Sequence, residues 1–578
     1  MQVFTAWLTH KLPHLSGPNP ALVTQRGARR LPRVPLLLLC AAYVLPGLFG
    51  RDPWRNADLA AFGQMVAMAE GRTSWWAPSL GGVPVDTALL PHWLGAAFIW
   101  LMSPMVDDAF AARVPFALLL ALTLVAVWYT SFHLARTEAA QPLPFAFGGE
   151  AAPVDYARAI ADGALLAMMA TLGLLQLGHE TTPEILQLFG MALLLYALAA
   201  APHRRWQPRL AVLLALLLLS GSGAPSMALA AGLAGCGVCL ASRLPAARQF
   251  TPWVAAATAL AAALAAALGS WRLRTLGLAA EDLPSLARQW LWFLWPAWPL
   301  ALWTLWRWRR HLSHRHIAVP LVAVLVALTA NVAMGGSDRA LMLGLPGMAA
   351  LAAFALPTLK RSASAAIDWF SIFFFTLCAI TIWVMFVAMH TGVPAKPAAN
   401  IMKLTPGFVP DFSWPALLLA LAGSAAWVAL VLWRSGRHRE ALWKSLVLPA
   451  GGVALCWLLL MTLWLPLIDY ARSPRPLVEK LARLMPAGAC VNAPGASPVT
   501  VAALEYFGRW QVQAQPAAGT VPSANCPWLV RVTRVRTGVA SAAEPDAQVW
   551  QRIAQERRPT ERDELTELYR LRPNALRP

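Results

Sequence analysis

Long runs of apolar residues recur along almost the whole chain, separated by short polar segments. Most runs approach the roughly 20 residues that a helix needs to cross the hydrocarbon core of a bilayer. They have to be helical there, because the lipid offers no partner to open backbone groups. We predict an all-α polytopic membrane protein with about thirteen transmembrane helices. The predicted spans are residues 34–50, 112–135, 160–178, 184–201, 209–222, 225–242, 252–269, 289–306, 317–335, 338–357, 366–389, 414–433 and 445–467.

Positive charges in the loops set the predicted orientation. Basic clusters lie at 203–209, 307–316, 359–361 and 433–444, and the positive-inside rule places such loops in the cytoplasm. Basic residues 1–33 then lie inside, and the first loop, 51–111, lies in the periplasm. The apolar stretch 91–104 in this loop is short and bounded by proline. We interpret it as an interfacial helix, because a crossing there would invert the sides of the strongest arginine clusters.

The composition agrees with a membrane protein. The chain is 58% hydrophobic and 13% charged, whereas a soluble protein carries about 25% charged residues. The net charge of +19 lies largely in the topogenic loops, so it does not indicate nucleic-acid binding.

From about residue 471 the sequence becomes polar and contains short β-like runs. We predict that 471–578 forms a small α/β periplasmic domain. Cys490 and Cys526 are its only cysteines. An oxidising compartment favours a disulfide between them, and two unpaired buried thiols are the alternative.

The first loop carries the first group of candidate site residues, namely Asp52, Arg55, Asp58 and Asp86. Asp58 follows Asn56-Ala57 at a predicted helix start, where the helix dipole stabilises a carboxylate. It is either a functional acid at the interface or only a first-turn helix acid. Asp52 and Asp86 have the same structural alternative.

The second group lies in His179-Glu180-Thr181-Thr182-Pro183-Glu184, between two spans. Ionisable residues at the end of a span are costly unless they pair or face a cavity, which makes them functional candidates. His179 and Glu180 are candidate ligands of a divalent metal, and Glu184 is a candidate catalytic carboxylate. The spacing is not that of a known metal site, and an ordinary polar turn explains it equally well.

The third group consists of cations on the predicted outer face. Arg339 begins a helix, where a guanidinium and the helix dipole together suit a phosphate. Arg288 and Lys403 are further outer cations. The alternative for each is snorkelling of the side chain towards lipid headgroups.

Several motifs, taken in order, resemble bacterial glycosyltransferase family 39. This protein-mannosyltransferase-like group has the GT-C fold and includes the aminoarabinose transferases that modify lipid A. The resemblance covers nearly the whole chain, through LPGLFGRDPWRNADLAAFGQMVAMAEG, WWAPSLGGVPVDTALLPHWLGAAFIWL, ARVPFALLLALTLVAVWY, HETTPEILQLFG and SDRALMLGLPGMAALAA. The chain departs from the family pattern where the usual Asp-Glu pair reads Ala57-Asp58 and where Lys-Pro-Pro reads Thr87-Ala88-Leu89.

The resemblance implies a glycosyltransferase in the bacterial inner membrane, with residues 34–470 as the catalytic domain and the site facing the periplasm. The donor would be a polyprenyl-phosphate-linked sugar and the acceptor a lipid such as lipid A, a glycan or a protein. Transfer by direct displacement would invert the sugar. Asp58 would be the base, or at least the carboxylate that orients the acceptor hydroxyl. Arg339 or a metal near His179 and Glu180 would neutralise the leaving phosphate.

The alternative function is a transporter or lipid flippase without glycosyl transfer. Transporters favour internal repeats and ionisable residues near the midplane of the membrane. This sequence shows no repeat, and its acids gather at one face, which favours the enzyme.

Overall fold

The computed structural model describes residues 20–54, 57–85, 88–271, 280–436, 441–515, 526–534, 545–561 and 563–573. Helices dominate it up to residue 482, as the apolar runs predict, and short 3-10 turns occupy 138–140, 280–282 and 356–358. The helices of the membrane part are Arg33–Val44, Ala57–Ala69, Leu89–Met102, Asp108–Ala135, Pro153–Ala170, Leu172–Leu177, Pro183–Ala200, Gln207–Gly221, Pro225–Ala241, Pro245–Arg248, Thr251–Ala267, Leu283–Phe293, Ala297–Arg307, Arg315–Ala333, Asp338–Met342, Leu345–Ala355, Arg361–Thr391, Ala395–Leu404, Trp414–Gly436, Lys444–Leu463 and Leu465–Arg472.

Among the described residues, seven helical segments are long and apolar enough to cross a bilayer. They are Asp108–Ala135, Pro183–Ala200, Pro245–Ala267, Arg315–Ala333, Arg361–Thr391, Trp414–Ser435 and Lys444–Leu463. The chain is therefore a multi-pass membrane protein. The other expected spans form shorter or interrupted helices, so the number thirteen stays a prediction.

The first predicted span, 34–50, is not one continuous helix. Its helix is Arg33–Val44, and the chain turns at Pro46 and Gly47. The indole of Trp457 donates to the carbonyl of Pro46 at 2.9 Å. Gly47 has φ +84°, and a Cβ there would lie 3.2 Å from the same indole. After this tight turn the chain leads back into the protein at Arg51, which is buried.

The stretch 91–104 forms the helix Leu89–Met102. Its 14 residues span only about 21 Å at the usual rise of 1.5 Å per residue, less than the ~30 Å hydrocarbon core. This length fits the interfacial placement that the charge pattern predicts.

Burial separates the inner helices from the outer ones. Pro153–Ala170 and Leu345–Ala355 are buried along nearly their whole length. Arg361–Thr391 and Trp414–Gly436 instead leave most of their apolar side chains partly or fully exposed. Lipid tails would cover these exposed side chains, since an apolar surface of this size is not stable in water.

The C-terminal part contains the predicted α/β unit. Its helices are Arg475–Ala482 and Pro498–Gly508. Its strands are β3 Cys490–Asn492, β4 Gln511–Gln513, β5 Trp528–Arg534, β6 Trp550–Glu556 and β7 Glu564–Leu571. They form a five-stranded sheet in the order β4-β3-β5-β7-β6. Strand β3 is parallel to β4 and β5, whereas β7 pairs antiparallel with β5 and β6. Cys490 and Cys526 form a disulfide.

The C-terminal unit packs against the first loop. Helix Ala57–Ala69 lies so close to helix Pro498–Gly508 that a Cβ on Gly63 would stand 2.4 Å from the Cβ of Ala502. In the same loop, β1 (Ser79–Leu80) and β2 (Val83–Pro84) form a short hairpin. The amide of Ala514 donates to the carbonyl of Gly81 at 2.8 Å. The first loop is therefore held between the membrane helices and the C-terminal sheet.

Candidate functional site

Four segments that are far apart in the sequence meet around the first loop. They are residues 51–58, the turn 178–184, the helix start at 337–341, and residues 465–475 after the last long helix. Each segment lies where an apolar helix begins or ends. Charged side chains gather there because they leave the hydrocarbon region as soon as the helix does.

Asp58 joins the first loop to the 178–184 turn. Its Oδ1 accepts from the amide of Thr181 at 2.7 Å and from the Thr181 hydroxyl at 2.8 Å. Its Oδ2 accepts from the amide of Trp54 and from Arg51, each at 3.4 Å. Burial alone would raise the pKa of Asp58, but Arg51, Arg113 and the Thr181 hydrogen bonds outweigh it and lower that pKa.

This geometry does not suit the role of base that the resemblance implies for Asp58. The residue is 1% exposed, and protein donors occupy both carboxylate oxygens. A carboxylate with a lowered pKa is also a weaker proton acceptor. Asp58 is better suited to anchoring the first loop to the 178–184 turn. It also balances the charge of Arg51, which is itself only 2% exposed.

Arg339 joins the 178–184 turn to the helix start at 337–341. Its guanidinium donates to Glu180, to Glu184 at 3.2 Å and to the hydroxyl of Thr182 at 3.0 Å. Burial and nearby Asp58 raise the pKa of Glu180, and Arg339 partly offsets them. Because two carboxylates already hold Arg339, it is a poor ligand for a donor phosphate.

Asp58, Glu184 and Arg339 thus lie in one contiguous network, linked through neighbouring Thr181 and Thr182. The structure brings together the acids and the arginine that the sequence singles out. Their mutual pairing makes the network a charge-balanced framework.

His179 is positioned by the backbone. Its Nδ1 lies 2.7 Å from the carbonyl of Leu175, and its Nε2 lies 2.8 Å from the carbonyl of Tyr43. The ring packs on Trp457, with 4.6 Å between centroids. Burial lowers the pKa of His179 to about 4.

These contacts do not fit the predicted metal ligation. A metal-binding histidine needs one ring nitrogen free to face the ion, and both nitrogens of His179 face carbonyl oxygens. Glu180 is engaged with Arg339. In the part of the chain that the structure describes, no three His, Cys, Asp or Glu side chains are arranged to hold a metal. A divalent metal stays a prediction that these donors do not support.

The fourth segment carries residues that the sequence analysis did not select. Arg475 binds Asp52 through two hydrogen bonds, of 2.6 and 2.8 Å. Asp469 accepts from the indole of Trp54 at 2.7 Å and from the amide of Asp52 at 3.2 Å. The guanidinium of Arg472 lies 4.9 Å from the Trp54 ring centre. These contacts attach the segment 465–475 to the first loop.

Arg288 and Lys403, the other predicted phosphate ligands, are exposed. A 2.7 Å hydrogen bond from Gln289 to the carbonyl of Gly336 holds the helix of Arg288 beside the segment that leads to Arg339. In the turn after Lys403, the carbonyl of Pro406 accepts a 2.7 Å hydrogen bond from the hydroxyl of Tyr470, which belongs to helix Leu465–Arg472. Both cations therefore lie on segments that border the site, without entering its hydrogen-bonded network.

Two predicted first-loop residues, Arg55 and Asp86, lie outside the described residues. Conversely, the sequence contained a signal for the residues that were missed. Arg51 directly follows the first apolar run, and Asp469 and Arg472 follow the last one. They satisfy the same rule that selected 179–184, namely that ionisable residues at the end of a span are functional candidates.

Comparison with known proteins shows the fold. No protein-family profile matches the chain, and no curated protein sequence matches it significantly. Two solved structures of ArnT from Cupriavidus metallidurans are similar over 93% of this chain, each with a TM-score of 0.56. The one bound to undecaprenyl phosphate is 13% identical and covered over 97% of its length, and the apo one is 14% identical and covered over 96%. The likeness confirms the predicted GT-C fold.

Proposed function

We propose that this GT-C-fold membrane protein is a glycosyltransferase. It moves a sugar from a polyprenyl-phosphate carrier to a lipid, glycan or protein acceptor on the periplasmic side of the bacterial inner membrane. The observation that carries the proposal is the meeting of four charged segments around the first loop of a GT-C bundle. The undecaprenyl phosphate named for the similar ArnT structure supports a carrier of this chemical class.

The donor phosphate is best placed at the exposed cations that border the site. Arg472, Arg288 and Lys403 are exposed, whereas Glu180 and Glu184 engage Arg339. An exposed arginine can bind a phosphate oxygen without first breaking an internal ion pair. Neutralising the phosphate in this way stabilises it as the leaving group.

The buried pairs have a different role in this proposal. Asp58 with Arg51 and Arg339 with Glu180 and Glu184 hold the first loop, the 178–184 turn and residue 339 in fixed positions. A rigid frame lets the exposed cations and the reacting groups stay aligned, which is a large part of how enzymes lower a barrier.

The test compares the envelope lipids and glycoconjugates of a deletion strain with those of the same strain carrying the gene on a plasmid. Mass spectrometry should show that the deletion strain loses one glycosylated species and accumulates a polyprenyl phosphate bearing the same sugar. The plasmid should reverse both changes. Identical glycosylated species in the two strains, with the protein present in the complemented one, would refute the proposal.

A further inference from the structure

The acidic side chains around the site differ in whether they form an ion pair. Most of those the structure describes form ion pairs, and the pairs are Asp58 with Arg51, Asp52 with Arg475, and both Glu180 and Glu184 with Arg339. Asp469 and Asp338 are the exceptions, since neither forms an ion pair with a described residue; Asp338 is exposed, whereas Asp469 is partly buried. An acid without a cation loses less on protonation than a paired one does.

The carboxylate of Asp469 still has unused hydrogen-bonding capacity. Each carboxylate oxygen accepts one hydrogen bond from a neutral donor, Oδ1 from the Trp54 indole and Oδ2 from the Asp52 amide. A carboxylate oxygen can accept two. The residue is also only partly buried, unlike Asp58. One lone pair on each oxygen therefore remains for a bound hydroxyl.

The surroundings make Asp469 a proton acceptor near neutral pH. Burial raises the pKa of Asp469 to about 6, with the Trp54 hydrogen bond opposing the rise and Asp52 adding to it. A general base is most effective when its pKa is close to the working pH.

Arg472 lies on the same side of helix Leu465–Arg472 as Asp469. Residues three apart are neighbours on a helix surface, and both side chains contact Trp54. Arg472 is exposed and forms no ion pair with a described residue. The helix Leu465–Arg472 thus carries a carboxylate and an exposed guanidinium that both contact Trp54.

We propose that Asp469 is the general base of the transfer and that Arg472 binds the leaving phosphate, so that the acceptor reacts through a neutral hydroxyl. This rests on the proposed function. The acceptor oxygen bonds to the anomeric carbon while the bond from that carbon to the phosphate oxygen breaks. The electron pair leaves with the lipid phosphate, and the hydroxyl proton passes to Asp469. An acceptor that reacts through an ionised phosphate would need no base.

The test uses the full-length protein in detergent, the donor lipid extracted from the deletion strain, and an acceptor fraction from the same cells. Asp469→Asn should lower the turnover rate by about 100-fold or more, the usual contribution of a general base. It should also remove the fall in rate below about pH 6 that the wild type shows. Asp469→Glu should restore part of the rate, and formate should partly rescue Asp469→Ala. Glu479→Gln, an exposed acid on the next helix, is the control and should keep the wild-type rate and pH profile.

Two results would overturn this inference. One is Asp469→Asn with the wild-type rate and pH profile. The other, should that variant fail to fold, is Asp469→Ala with the wild-type rate and pH profile in the absence of formate. In both cases the wild type still glycosylates, so the proposed function stands. A wild type that transfers no sugar from the extracted donor would contradict the proposed function itself. Arg472→Ala should lower kcat and also raise the KM for the donor, because Arg472 would bind the phosphate and stabilise it as it leaves.

Discussion

At the scale of single residues, the site is organised by the pairing of buried charges. Arg51 and Asp58 are both almost fully buried and lie 3.4 Å apart. A charge at such depth is tolerated only when it is paired and hydrogen-bonded. Asp58 meets this condition through Thr181, which belongs to a different segment. The stability of the first loop therefore depends on one carboxylate.

We expect Asp58→Asn to destabilise the protein by about 3 to 5 kcal/mol, because it leaves Arg51 buried without its counter-charge. The midpoint of thermal unfolding in detergent, followed by tryptophan fluorescence, measures this loss. Asp411→Asn, which removes an exposed acid, should leave the midpoint unchanged. Equal midpoints for the two variants would show that Asp58 is not the fastening residue.

The same pair has a predictable pH dependence. Since the fold lowers the pKa of Asp58, its contribution to stability is complete above the unfolded-state pKa of about 4. It is lost as the pH falls through the folded-state value, because the protonated acid no longer balances Arg51. The difference in unfolding midpoint between wild type and Asp58→Asn should therefore shrink below about pH 4.

At the scale of elements, the docking of the C-terminal unit depends on small residues. Helices Ala57–Ala69 and Pro498–Gly508 meet where Gly63 faces Ala502. Around this contact, Phe62 and Tyr506 pack edge to face at 4.7 Å, and Arg72 pairs with Glu505. The helix that carries Asp58 is thus held from the C-terminal side as well.

Gly63→Ala should weaken this docking, because the new Cβ would lie 2.4 Å from that of Ala502. Overpacking of this kind costs roughly 1 to 3 kcal/mol. The expected result is a lower unfolding midpoint and faster trypsin cleavage within the C-terminal unit. Gly237→Ala is the matched control, since its Cβ would meet nothing within 4 Å. If both variants behaved alike, the close helix contact would be disproved.

At the scale of the whole molecule, the orientation of the protein in the membrane decides whether the site faces the periplasm or the cytoplasm. The first loop and the C-terminal unit pack together, so they must lie on the same side of the membrane. The basic loops predict that this side is the periplasm, and an oxidising periplasm suits the disulfide between Cys490 and Cys526.

A membrane-impermeant maleimide applied to intact spheroplasts tests this orientation. The thiol of Glu479→Cys should be labelled at once, whereas that of Arg205→Cys, in a basic loop, should be labelled only after permeabilisation. Both positions are exposed. The wild type reports the background from its own cysteines, and the reverse order of labelling would place the site in the cytoplasm.

The sequence by itself determined the class of the protein, because hydropathy acts locally and every long apolar run has to become a buried or lipid-covered helix. Motif order also led to the GT-C fold, and the polar tail with two cysteines led to a small α/β unit. Candidate residues at the ends of spans could be found in the same way, which is why Asp58, Glu184 and Arg339 were selected.

Only the tertiary structure decided which charged side chains pair with each other. Asp58 pairs with a turn 123 positions away, and Asp469 accepts from a residue 417 positions away. No local pattern encodes such contacts. They leave Asp58 and Arg339 satisfied within the protein and leave Asp469 without a cation. The capacity of a carboxylate to accept a proton depends on those distant partners. The base could therefore be proposed only from the tertiary structure.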